Sequence, residues 1–134
     1  MVKKDIFYVF IDLPEFWEVR PDGLNGAVYN QNEKVAMIYF KNPIDLRLVD
    51  RVEWLSPTKE IYKIDYYGDY GYVYCTAHLE DGKIVTRSYF SPEHEEKILL
   101  NYSNGVVTLF DKGQVSKIFP SEEDFIRYYE EKVE

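Results

Sequence analysis

Cys75 is the chain's one cysteine and His78 one of its two histidines, and thiol and imidazole are the usual parts of an activated nucleophile. They stand three residues apart in GYVYCTAHL, a stretch that reads as a strand. Three steps along a strand send two side chains to opposite faces, so a thiolate–imidazole pair is geometrically poor there. Cys75 reads instead as a small core residue. His78 and His94 lack the clustered spacing of metal ligands, and no cysteine pair completes a site, so no metal is expected. There is no glycine-rich phosphate loop after a strand, no G-x-S-x-G elbow and no H-E-x-x-H helix, and no cofactor is expected either. Carboxylates are plentiful, and two in a cleft could serve a glycosidase as acid and base. With 24 Asp and Glu against 16 Lys and Arg, most of them read as solvated surface. Catalysis by this chain alone is not expected.

The same charges bound the partners. A net charge of -8 repels a phosphate backbone, and the basic residues are scattered, so nucleic acid is excluded as a partner. A lone cysteine permits no internal disulfide and lends no support to an oxidising compartment. The opening MVKKDIFYVFIDLPEFWEVR briefly resembles a signal peptide, but Asp12, Pro14 and Glu15 break its apolar run. It reads as a strand over Asp5–Ile11 in a cytoplasmic protein.

The unusual residue is tyrosine. Thirteen Tyr, eight Phe and two Trp favour half-buried pleated surfaces, where a ring packs while its hydroxyl stays wet. Five of the tyrosines fall in DYYGDYGYVY, Asp65 to Tyr74, around Gly68 and Gly71. Cross-strand ladders account for part of this signal. Rings on a second face, around Tyr67 and Tyr70, would instead stack on a sugar or an extended polypeptide, or form a protein interface.

Turn signals then set the elements. Ser56–Lys59, Gly68–Gly71, Glu80–Lys83, Ser91–Glu93, Ser103–Gly105 and Asp111–Gly113 recur about every 8 to 12 residues, the interval of consecutive antiparallel strands. Asp81-Gly82 and Asn104-Gly105 predict type I′ hairpins. Strands are predicted over Trp17–Arg20, Ala27–Asn30, Lys34–Phe40, Val49–Leu55, Glu60–Tyr67, Tyr72–His78, Ile84–Phe90, Lys97–Tyr102, Val106–Phe110 and Gln114–Phe119. Pro21-Asp22-Gly23, Asn25-Gly26 and Asn42-Pro43 mark loops. Alternation puts Tyr62, Ile64 and Tyr66 on one face and Ile61, Lys63, Asp65 and Tyr67 on the other. Ser121 is the predicted N-cap of a helix over 121–133, with Phe125, Ile126, Tyr129 and Val133 on its docking face. The expectation is a single mainly β domain over 1–134, an extended antiparallel meander with a C-terminal helix.

Three segments carry a resemblance: LPEFWEVRPDGLNGAVYNQNEKVAMIYF, LVDRVEWLSPTKEIYKIDYYGDYGYVYCTAHLEDGKIVTRSYFS and VVTLFDKGQVSKIFPSEEDFIRYY. With the run Val52–Pro57, the corner Tyr67–Gly71 and the terminal helix, the chain resembles the N-terminal extended β-sheet domain of accessory Sec glycosyltransferases of Gram-positive bacteria. It is most similar to that of the non-catalytic partner subunit, a glycosylation-stabilising chaperone. The resemblance implies a cytoplasmic module of a complex that transfers N-acetylglucosamine to serine-rich repeat adhesins, membrane-peripheral where the full complex is. Its implied partners are the catalytic glycosyltransferase subunit and the serine-rich repeat polypeptide. The nucleotide-sugar halves of such proteins have no counterpart here, which leaves an excised fragment or a stand-alone relative. The expected acceptor- or partner-binding residues are Trp54, Tyr66, Tyr67, Tyr70, Tyr72 and Tyr74. A homodimer through the meander's edge or aromatic face, and a small carbohydrate-binding protein, are the rival readings.

Overall fold

A computed structural model describes residues 11–69 and 71–133. Ten strands run as β1 (Glu18–Asp22), β2 (Asn25–Asn30), β3 (Glu33–Phe40), β4 (Val49–Leu55), β5 (Ile61–Tyr66), β6 (Cys75–Glu80), β7 (Lys83–Phe90), β8 (Glu96–Asn101), β9 (Val107–Asp111) and β10 (Gln114–Phe119). The helix α1 (Glu122–Val133) follows. The strands form one antiparallel sheet in the order in which they occur, β1 to β10. The expected meander and helix are present, and the predicted strand over Asp5–Ile11 lies outside the described residues apart from Ile11.

The hairpins follow from the turn residues. Asp81 and Gly82 have φ of 50° and 78°, Lys112 and Gly113 53° and 78°, the paired positive values of a type I′ turn. Asn104-Gly105 behaves otherwise. Gly105 is positive at 77°, but the connection runs from Tyr102 to Val106 and Asn104 is not in the left-handed region. The side chain of Asn101 accepts from Ser103 N–H and that of Asn104 from Val106 N–H, both at 2.9 Å, and these local bonds hold a longer turn. The predicted loop at Asn25-Gly26 is also displaced. Gly23 supplies the positive φ of 61°, so the hairpin closes at Gly23-Leu24 and Asn25 and Gly26 pair within β2.

Cross-strand partners share a face, so the register identifies two surfaces. One row runs Ile38, Val52, Asp65, Thr76, Ser88, Leu99, Thr108, Ile118. Its neighbour on the opposite face runs Met37, Glu53, Ile64, Ala77, Arg87, Leu100, Val107, Phe119. The hydrophobic core changes sides between them. In β2–β4 the first face is buried: Val28, Ala36, Ile38, Val49 and Val52 pack with Ile11 and Tyr67, flanked by Leu13, Trp17 and Trp54. At the other end the second face is buried, where Leu100, Val107 and Phe119 meet Phe125 and Tyr128 of α1. These are called the Trp54 face and the helix face below.

Ser121 caps α1 as expected: Asp124 N–H donates to its Oγ at 3.2 Å, and the hydroxyl donates to Asp124 Oδ2 at 3.0 Å. The docking face is rotated from the predicted one. Phe125 and Tyr128 contact Phe119 at ring distances of 5.5 and 5.1 Å, while Ile126 and Tyr129 remain about half exposed. At 100° per residue, Ile126 lies a quarter-turn round from Phe125 and cannot reach the sheet with it.

Candidate docking surface

The six residues expected at one surface are divided by the fold. Trp54 is on the Trp54 face, where its ring tilts against Trp17 at 6.3 Å and its indole N–H donates to Asp65 Oδ2 at 2.9 Å. Asp65 Oδ1 accepts from the Thr76 hydroxyl at 2.7 Å, so one carboxylate closes a three-residue network beneath the core. Tyr67 is 8% exposed and belongs to that core, which removes it from any open surface. Burial pushes its phenol up to about 12, with the charges of Asp65 and then Asp12 adding to the effect. Tyr70 lies outside the described residues.

Tyr72 and Tyr74 are half-buried in the connection between β5 and β6. The strand predicted from Tyr72 begins at Cys75, although Tyr74 still donates to Tyr66 C=O at 3.0 Å and accepts from Phe90 N–H at 2.9 Å. The connection is held by Tyr67 N–H on Asp50 C=O at 2.8 Å and by Lys41 on Asp69 at 2.9 Å, and Val73 packs against the core. The corner therefore folds toward the Trp54 face. Among the described residues of the six, the strand register places Tyr66 on the helix face.

That face holds a surface the sequence reading did not single out. A row crosses the sheet through Tyr39, Arg51, Tyr66, Cys75, Tyr89 and Ile98. α1 packs on this face near β10, and Ala77, Cys75 and Ile64 in its middle are 0, 3 and 8% exposed. Their neighbours in the register include the long side chains of Glu53, Tyr66, Arg87 and Tyr89. Arg51 sits over the Tyr39 ring at 4.1 Å, and its guanidinium meets Glu53 at 2.9 Å. Arg87 sits over the Tyr102 ring at 5.9 Å, reaches its hydroxyl at 3.5 Å and interacts with the Tyr66 phenol. Burial pushes the Cys75 thiol up, so it is an inert member of the row. The row runs through uninterrupted parts of the β4–β5 and β6–β7 ladders, since the bulges fall beyond it at Trp54/Leu55 and His78/Leu79; the pairing register, which alternation within one strand does not report, brings these side chains together.

No group of His, Cys, Asp and Glu among the described residues could hold a metal. The cleft between Leu100, Asn101, Val107 and Glu122 offers about 10 Å³, the room of one water. No described helix is long and apolar enough to cross a membrane.

Residues 17–120 match the family described as the GtfB middle domain. The chain belongs to that family. The expected likeness to a β-sheet domain of the non-catalytic partner subunit agrees with this match. A GtfB of Streptococcus parasanguinis, named as a stabilizing protein of UDP-N-acetylglucosamine–peptide N-acetylglucosaminyltransferase, is 27% identical over 92% of this chain and 28% of its own. The protein of that name from Streptococcus gordonii is 27% identical over 99% of this chain and 30% of its own. A crystal structure of a GtfA/B complex bound to UDP and GlcNAc contains a chain that superposes with a TM-score of 0.84 at 26% identity. The superposition covers 98% of this chain and 30% of that one. The chain thus spans less than a third of the length of these relatives.

Proposed function

We propose that this GtfB middle domain is a non-catalytic assembly and recognition module. It joins a stabilizing subunit to a cytoplasmic peptide N-acetylglucosaminyltransferase and holds the Ser/Thr-rich acceptor polypeptide against its aromatic surface. The match of residues 17–120 to the GtfB middle domain carries the reading, together with relatives named as stabilizing proteins of the transferase. Half-buried tyrosines and arginines, residues enriched where proteins bind, support the recognition role. Of the expected residues the proposed surface keeps Tyr66; Tyr72 and Tyr74 belong to the corner that folds toward the Trp54 face, Tyr67 is buried, Trp54 supports the sheet from the other side, and Tyr70 is proposed from the sequence alone.

Co-purification of the transferase with the stabilizing protein, with and without this domain, tests the assembly role. Titration of a serine-rich repeat peptide into the complex tests the acceptor role. A transferase equally well retained and equally active without the domain would end the proposal. One observation favours dimerisation as a second reading: edge strand β10 leaves Val115 and Ile118 57 and 60% exposed, whereas edge strand β1 carries Pro21 and charges. Sedimentation over a concentration series separates the two, because a module that only dimerises would self-associate without binding peptide.

A further inference from the structure

Arg87 occupies a particular place on the helix face. Its cross-strand neighbours are Ala77 and Leu100, both neutral. None of the ion pairs among the described residues includes it, whereas Arg51 on the same face is matched by Glu53 at 2.9 Å and Asp50 at 3.5 Å. The groups around Arg87 are phenols, Tyr66 and Tyr102, with Tyr89 two residues along the same strand and on the same face. A half-buried guanidinium whose partners are all neutral keeps donor capacity for oxygen acceptors.

We propose that Arg87, framed by Tyr66, Tyr89 and Tyr102, anchors a peptide track across the helix face, its guanidinium donating to backbone carbonyl oxygens of an extended, uncharged, hydroxyl-rich chain. The assignment rests on the acceptor-binding reading above and locates it. Two features select this occupant. The row from Tyr39 on β3 to Leu109 on β9 crosses seven strands, about 29 Å at strand spacing, which an extended chain of about nine residues would span. Such a strip suits a linear polymer and offers no enclosure to a small molecule. The charges select further: toward the β1 end of the same face Arg20, Lys34 and Arg51 are already paired with Glu18, Asp22 and Glu53, which among the described residues leaves no spare cation there for an anionic polymer in a chain of net charge -8. The Tyr102 ring already lies under the Arg87 guanidinium, so less of its side-chain freedom remains to be lost on contact.

The test is fluorescence anisotropy of a labelled, uncharged 20-residue Ser/Thr-rich peptide with the full-length stabilizing protein in its complex with the transferase. Arg87→Ala is expected to weaken binding about tenfold, the scale of one lost charge-assisted contact, with Arg87→Lys in between because an ammonium lacks the planar fork. Tyr66→Ala and Tyr102→Ala should weaken binding several-fold, whereas Lys63→Ala on the Trp54 face should leave it within about twofold. Circular dichroism of each variant confirms the fold. Should Arg87→Ala unfold, Arg87→Lys and Tyr102→Ala decide the matter. Wild-type binding that none of the helix-face variants alters overturns the track and leaves the acceptor reading intact. A wild-type protein that binds no peptide overturns both. Displacement of the peptide by millimolar inorganic phosphate, with loss of that effect in Arg87→Ala, would make Arg87 an anion site and overturn the track as drawn.

Discussion

The Tyr74 ring lies against Gly68 so closely that a Cβ built on the glycine would stand 2.8 Å from Tyr74 Cε1. Gly68 also has a φ of +55°, and its N–H points to Asp50 C=O at 3.3 Å. The glycine in the tyrosine-rich corner thus serves two ends, a left-handed turn and a seat for a ring. Gly68→Ala is expected to destabilise by about 1–3 kcal/mol, from backbone strain plus displacement of Tyr74. Urea unfolding measures it. Gly82→Ala, which has open space around its Cβ at a φ of +78°, isolates the backbone part and should be milder.

Asp65 satisfies two donors at once, Trp54 Nε1 and Thr76 Oγ1. Asp65→Ala leaves the half-buried Trp54 indole and the buried Thr76 hydroxyl without this acceptor and should lower stability by about 2–3 kcal/mol. Thr76→Val removes one donor and relieves part of that penalty, so the double variant should be less destabilised than the sum of the two singles. Strict additivity in chemical denaturation would contradict the network.

Tyr67 makes stability depend on alkaline pH. Its folded value is raised to about 12, above the ordinary 10, so the folded state holds the proton where the unfolded state releases it. The stabilisation is fully present below about pH 10 and declines as pH rises from there toward 12, at about 1.4 kcal/mol per unit. Tyr39 and Tyr89 are also raised by burial and contribute to the same decline. The contrast with Tyr67→Phe isolates the buried phenol: the wild type should lose stability faster than the variant between pH 10 and 12.

Phe119 is the contact through which α1 is fixed. It is 6% exposed and meets both Phe125 and Tyr128. Phe119→Ala should cost about 3–4 kcal/mol and raise amide exchange throughout 122–133. Exchange in β2–β4 should barely change, because their core is on the other side of the sheet.

The sequence made the architecture readable because its turns are punctuated: Asp81-Gly82 and Asp111-Lys112-Gly113 place hairpins where the strands turn, and Ser121 begins the helix. The candidate site was less readable. DYYGDYGYVY is dense in tyrosine, but Tyr67 is drawn into the core by its position opposite the Tyr66 face, and Tyr74 follows the corner. Tyr39 meets Arg51, and Arg87 meets Tyr102, from separate strands or turns and only through the pairing register. Alternation reports which face a residue takes within its own strand. It does not report whose side chain lies beside it two strands away.

Strand order has its own consequence. Every strand pairs with the one before and the one after, so no pairing waits for a distant segment to arrive. Each loop closure is short, and the entropy opposing it is correspondingly small. A β protein built this way can zip outward from any hairpin and fold quickly for its class. Within a longer polypeptide, the same arrangement lets the sheet take shape without borrowing strands from its surroundings.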